Sequence, residues 1–68
     1  MTLKEWLTAT GTRYRPFASR IGVANASVVK KYADGRVPRS PQVRAAIVRE
    51  TGGKVQLGDL YAAAAVAN

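Results

Sequence analysis

Short apolar stripes at helical spacing run along the chain, each bounded by a capping residue or a glycine. Thr2-Leu3-Lys4-Glu5 fits a capping box, in which the Thr2 hydroxyl accepts from the Glu5 N–H and the Glu5 carboxylate accepts from the Thr2 N–H. Leu3, Trp6, Leu7 and Thr10 then share one face, and Gly11 suits the left-handed residue after a helix end, so a first helix is expected over 3–10. Pro16 is tolerated only in a first turn. With Phe17, Ala18 and Ile21 as the stripe and Gly22 as the stop, the second helix is expected over 14–21. Asn25 is a good N-cap for a third helix over 26–34, closed by Gly35. Its inward residues are Val28, Val29, Tyr32 and Ala33, and its outward residues Ser27, Lys30, Lys31 and Asp34.

Arg36-Val37-Pro38-Arg39 reads as an extended connector, because the residue before a proline is biased away from helix. Ser40 caps a fourth helix, expected over 41–51, with Pro41 in its favoured first position. Val43, Ala46 and Ile47 form its inner stripe, Val48 lies at its edge, and Gly52-Gly53 stops it. From Leu57 onward strong helix formers predominate, with Leu60, Tyr61 and Ala64 as packing residues. The alternation of Val55 and Leu57 allows a short edge strand there instead. The expected fold is all-α: a compact bundle of about five short helices in one domain, residues 1–68, around a central helix-turn-helix at about 14–34.

Charge narrows the function. Among 68 residues there are 11 Lys and Arg against 4 Asp and Glu, a formal net charge of +7. Nine of the 11 basic residues lie between positions 13 and 49, where Asp34 is the one acid. A bias of this size points to an anionic partner, nucleic acid or a membrane surface, with solvated surface charge as the plain alternative. The chain has no Cys and no His, and its acids stand singly at Glu5, Asp34, Glu50 and Asp59. Disulfides, thiolate or imidazole metal sites and imidazole catalysis are thereby excluded, and neither an enzyme nor a cofactor or metal is expected. No run approaches the ~18–20 apolar residues of a membrane span. Glu5 and Trp6 stand where the apolar core of a leader would begin, so a soluble cytoplasmic domain is expected. A domain this short buries only about 60% of its unfolded surface, so self-association would help it, with the fourth helix and the segment 54–68, through Val55, Leu57, Leu60 and Tyr61, as the candidate surfaces.

The second and third helices carry the functional reading. Ala18-x-x-x-Gly22-Val23, a short turn and a capped helix with a polar outer face form a helix-turn-helix pattern. The small Ala18 lets the helices cross closely, and Gly22 supplies the left-handed backbone of the turn. Val28 and Tyr32, at i and i+4, are expected to hold the third helix on the core and leave its outer face to enter a major groove. Membrane-surface helices want a continuous basic and apolar moment, which Gly and Pro interrupt here. RNA readers display stacking aromatics, whereas the five aromatics of this chain are needed for the core.

Four stretches carry a family resemblance: Leu3-Lys4-Glu5, Ala18-Ser19-Arg20-Ile21-Gly22-Val23, Ala33-Asp34-Gly35-Arg36 and Ala46-Ile47-Val48-Arg49-Glu50-Thr51-Gly52-Gly53-Lys54-Val55. In these the chain resembles the lambda Cro and CI-type helix-turn-helix phage repressors, and more closely the small prophage Cro-like regulators of the YdaS type. Gly22 and Gly35 stand 13 positions apart, which matches a Cro-like spacing. The YdaS-type pattern is one residue shorter, which leaves two registers for the outer face. A gap-free register gives Asn25, Ala26, Val29 and Lys30 the base-reading positions. An extra turn residue gives them to Asn25, Ala26, Ser27, Lys30 and Lys31, and amphipathicity favours this one because it keeps Val29 inside. Some Cro-like variants are α+β, which is where the alternative C-terminal strand would belong.

The resemblance implies a sequence-specific repressor of phage or prophage origin that binds double-stranded operator DNA as a homodimer, in the cytoplasm and nucleoid of a bacterial host. In base-edge chemistry Asn pairs with adenine, Lys donates to guanine O6 and N7, and Ser serves either base. Asn25 has a competing use as the helix cap, and Lys30 and Lys31 as solvated charge. Arg13, Arg15, Arg36 and Arg39 flank the two helices as phosphate contacts, which position the protein without reading sequence. Arg20, Arg44 and Arg49 are candidates for surface charge alone, Arg44 also for a pair with Glu50 or another acid. The YdaS-type likeness also implies an antitoxin alternative, in which the C-terminal segment binds a toxin and the third helix autoregulates the operon.

Overall fold

The capping box forms as expected: the Glu5 N–H donates to Thr2 Oγ1 at 3.1 Å and the Thr2 N–H to Glu5 Oε1 at 2.8 Å. It opens α1 (Leu3–Thr10) in the computed structural model, which describes the backbone of residues 1–67 and side chains through Ala64. Four further helices follow, α2 (Tyr14–Ile21), α3 (Ala26–Ala33), α4 (Pro41–Glu50) and α5 (Leu57–Ala67). Among the described residues there is no strand, so the protein is an all-α bundle and the edge-strand alternative at Val55 and Leu57 is set aside. Val55 is instead fully buried in the turn before α5. Asn68, the end of the candidate dimerisation segment, lies outside the described residues.

Local chemistry explains the boundaries. Asn25 Oδ1 accepts from the Val28 N–H, and Ser40 Oγ accepts from the Val43 N–H with Pro41 directly behind it. α3 and α4 each stop one residue short of the expected span, because Asp34 and Thr51 take the C-cap positions. Gly22 closes α2 at φ +80°, a backbone conformation that side chains with a Cβ rarely take. The Gly22 N–H returns to Ala18 O, as does the Val23 N–H at 3.0 Å, which fixes the tight turn into α3.

The core gathers Leu3 and Leu7 of α1, Phe17, Ala18 and Ile21 of α2, Val29 and Ala33 of α3, and Ala46 and Ile47 of α4. Val55 and Leu60 complete it. The Trp6 and Phe17 rings meet at 5.6 Å between centroids, tilted by 45°, and join α1 to α2. α2 packs on both α3 and α4, α1 touches α3, and α5 leans on α4.

Three inward assignments change. In α3 the anchoring pair is Val29 and Ala33, while Val28 and Tyr32 are only half-buried at the edge. Close crossing against α2 selects the stripe that ends in a small Ala33, and a tyrosine there would hold the helices apart. Thr10 is exposed, its hydroxyl donating back to Trp6 O at 2.8 Å. Tyr61 stays outside at 54% exposure while Leu60 alone turns inward.

Candidate nucleic-acid interface

α3 is amphipathic in a way that leaves one side free. Val29 is completely buried, so the gap-free register, which would have Val29 read a base, is excluded. Ser27, Lys30, Lys31 and Asp34 are exposed along the opposite side, and Ala26 is half-buried beside them. The Asn25 carboxamide oxygen is engaged by the Val28 N–H at 3.3 Å. A bidentate adenine contact needs both the oxygen and the amide group, so it would have to share that cap.

Two open grooves flank this stripe. One runs along the α2 side, lined by Arg15, Ser19, Asn25, Ala26 and Ser27 over Ala18 and Ala24. The other separates α3 from the connector and the start of α4, lined by Val28, Lys31, Tyr32, Arg36, Val37, Arg39 and Ser40. Each therefore has a cationic margin. Arg13 is exposed at the N-cap of α2, where its side chain makes no capping bond, and α2 has no acid in its first turn. Arg13, Arg15 and the positive end of α2 thus favour an anion on that flank.

The acids are engaged elsewhere. Glu5 lies below the usual carboxylate range because it accepts from the Thr2 N–H and then the Thr2 hydroxyl. Asp59 is lowered too, first by the Gln56 N–H at 2.9 Å and then by the Met1 ammonium at 3.2 Å. Asp34 pairs with Lys30 at 3.1 Å, and Glu50 with its neighbour Arg49 at 3.3 Å. Among the described residues no acid pairs with Arg13, Arg15, Lys31, Arg36 or Arg39.

Arg44 departs from expectation. It is neither free surface charge nor paired with Glu50: its Nη1 donates to Pro38 O at 2.8 Å and to Arg39 O at 3.1 Å. With Pro38 fully buried, this fixes the path of the connector and hence the wall of the second groove. A side chain bonding carbonyls five and six residues upstream leaves no periodic trace in the sequence. Thr51 was also hidden. Buried at 3% exposure, its hydroxyl lies 2.8 Å from Ile47 O and 3.1 Å from Val48 O, and accepts from the Val55 N–H at 3.2 Å. Its place before two stop-signal glycines was the available signal.

Among the described residues no three His, Cys, Asp or Glu side chains come together as a metal site, and no helix is long and apolar enough to cross a membrane. No family model matches the chain, and comparison with curated proteins and with solved structures found no match.

Proposed function

We propose that this protein is a sequence-specific regulator of transcription, a Cro-like repressor of phage or prophage origin, that lays α3 in the major groove of operator DNA. The observation that carries the reading is the free cationic side of α3, with Ser27, Lys30 and Lys31 exposed over a fully buried Val29. Asn25, Ala26, Ser27 and Lys30 form the surface that meets the base edges, with Lys31 at its margin, and Arg13, Arg15, Arg36 and Arg39 meet phosphates on either side. Such a protein works in the bacterial cytoplasm on the nucleoid, as a homodimer whose α3 helices sit about 34 Å apart on two half-sites. It acts by occupying the operator and needs no cofactor.

Selection of bound sequences from random duplex DNA tests this. A palindromic consensus is expected, and failure to enrich any sequence overturns the reading. Lys30→Ala with Lys31→Ala should abolish binding to the selected duplex while the melting temperature moves by less than about 4 °C, since exposed substitutions change stability little.

One observation favours a second reading. Leu57 (45% exposed) and Tyr61 (54%) lie one turn apart on the outside of α5, a docking stripe of the kind an antitoxin offers its toxin. Capture of a co-expressed toxin, lost on Leu57→Ser with Tyr61→Ser, would support it; recovery of DNA alone would count against it.

A further inference from the structure

We infer that the groove between α3 and the connector is a seat for a single backbone phosphodiester of the bound duplex, and that Lys31 is one of its phosphate ligands and not a base reader. The inference rests on the α3 reading above and divides its surface into two kinds of contact.

Three cations from two elements share this groove. Lys31 comes from α3, and Arg36 and Arg39 from the connector, with Val28, Tyr32 and Val37 lining it between them. Like charges gathered in so small an area repel one another, and an oxyanion lodged among them relieves that repulsion. A phosphodiester brings one negative charge and two unesterified oxygens, which suit an ammonium and the donor forks of two guanidiniums.

The seat is held in shape by backbone. Gly35 is buried in the turn at φ +116°, and the Arg36 N–H donates to Lys31 O at 3.0 Å, which fixes the start of the connector against the last turn of α3. At its far end Arg44 grips the carbonyls of Pro38 and Arg39. The cationic side chains are exposed, but the backbones that carry them are tied on both sides of the groove.

Lys30 differs from Lys31 in its surroundings. Successive helical residues point about 100° apart. Lys31 faces the connector groove, whereas Lys30 lies toward Asp34 and pairs with it at 3.1 Å. The groove's apolar part is limited to Val28, Tyr32 and Val37, too little to anchor acyl chains, which favours DNA over a lipid headgroup as the source of the phosphate.

The test titrates wild-type protein, Lys31→Ala and Lys30→Ala against a duplex obtained by selection and a shuffled duplex of equal length, at several KCl concentrations. Lys31→Ala should weaken both duplexes by the same factor, leave their affinity ratio within about twofold, and reduce the log–log salt slope by about 0.9. Lys30→Ala should lower the ratio itself, by roughly 5- to 150-fold if one base contact is lost. A fall in the ratio for Lys31→Ala, or unchanged binding to both duplexes, overturns the assignment. If the wild-type protein binds neither duplex, the α3 reading itself has failed and the seat falls with it. Phosphatidylglycerol vesicles form a separate arm: Lys31-dependent capture on vesicles with Lys31-independent DNA binding would assign the seat to a headgroup and overturn the inference.

Discussion

The Lys30 ammonium lies 3.1 Å from the Asp34 carboxylate, one turn further along the exposed side of α3. Both side chains are well exposed, at 68% and 52%, so the pair adds little stability. Its orientation is also the weaker one, with the acid toward the helix C-terminus, where the macrodipole disfavours negative charge. On the proposed function, Asp34 would therefore do more to restrain Lys30 and to oppose an incoming phosphate backbone than to hold the fold. Asp34→Asn should raise affinity for the selected duplex several-fold at low salt, with the gain shrinking as salt rises. Thermal unfolding should change by no more than about 4 °C. Fluorescence anisotropy titration reads the first quantity and circular dichroism the second; unchanged or weaker DNA binding would refute the argument.

Arg44 should influence DNA binding without touching DNA. Its guanidinium bonds two connector carbonyls, so Arg44→Met keeps much of the apolar stem and removes the donors. A loss of about 1–2 kcal/mol is expected, a fall in melting temperature of at least about 4 °C. Arg44→Lys keeps the charge, but its shorter side chain holds the ammonium short of the point from which Nη1 reaches both oxygens. Both variants should weaken binding to selected and shuffled duplexes alike, with the salt slope unchanged, because Arg36 and Arg39 still reach their phosphates in the complex and what is lost is the prior ordering of the connector that carries them. A slope reduced in Arg44→Met and restored in Arg44→Lys would instead make Arg44 a direct phosphate contact.

The helix boundaries were legible because local chemistry sets them. Thr2 with Glu5, Asn25, and Ser40 with Pro41 cap their helices whatever surrounds them, and Gly22 ends α2 through its own backbone preference. The outward stripe of α3 was legible for the same reason, since Ser27, Lys30 and Lys31 follow the helical period. The choice within adjacent apolar pairs was not. Val28 and Val29, like Tyr32 and Ala33, are apolar neighbours, and only the crossing against α2 decides that Val29 and Ala33 go under. The second groove was equally hidden, because its far wall depends on a buried Pro38 and on Arg44 reaching back to it. Thr51 needed tertiary structure to be recognised as the polar tie between the end of α4 and Val55.

That tie gives the sharpest stability prediction. Thr51→Val has nearly the same shape but removes the hydroxyl, leaving the buried Val55 N–H without its acceptor. An unsatisfied buried donor costs about 1–3 kcal/mol. For a domain of this size each kcal/mol lowers the melting temperature by roughly 4–8 °C. Thr51→Ser keeps the hydroxyl and loses one methyl group, so it should fall between wild type and Thr51→Val in urea denaturation. The reverse order would mean that packing of the methyl, and not the hydrogen bond, is what Thr51 contributes.

Acid should unfold the protein through two helix caps. Glu5 and Asp59 are both held below the ordinary carboxylate range, chiefly by the backbone N–H groups of Thr2 and Gln56 respectively. The folded protein therefore takes up these protons less readily than the unfolded chain does. The stability they contribute is fully present above the ordinary carboxylate pKa, about 4, and is lost as pH falls through the depressed native values. Melting temperature should thus be level from neutral pH to about pH 5 and decline below about pH 4. Glu5→Gln with Asp59→Asn should lower stability at neutral pH and flatten that acid decline, because the amides keep an acceptor but lose the charge. A double variant with the wild-type acid profile would show that Glu5 and Asp59 are not the groups responsible.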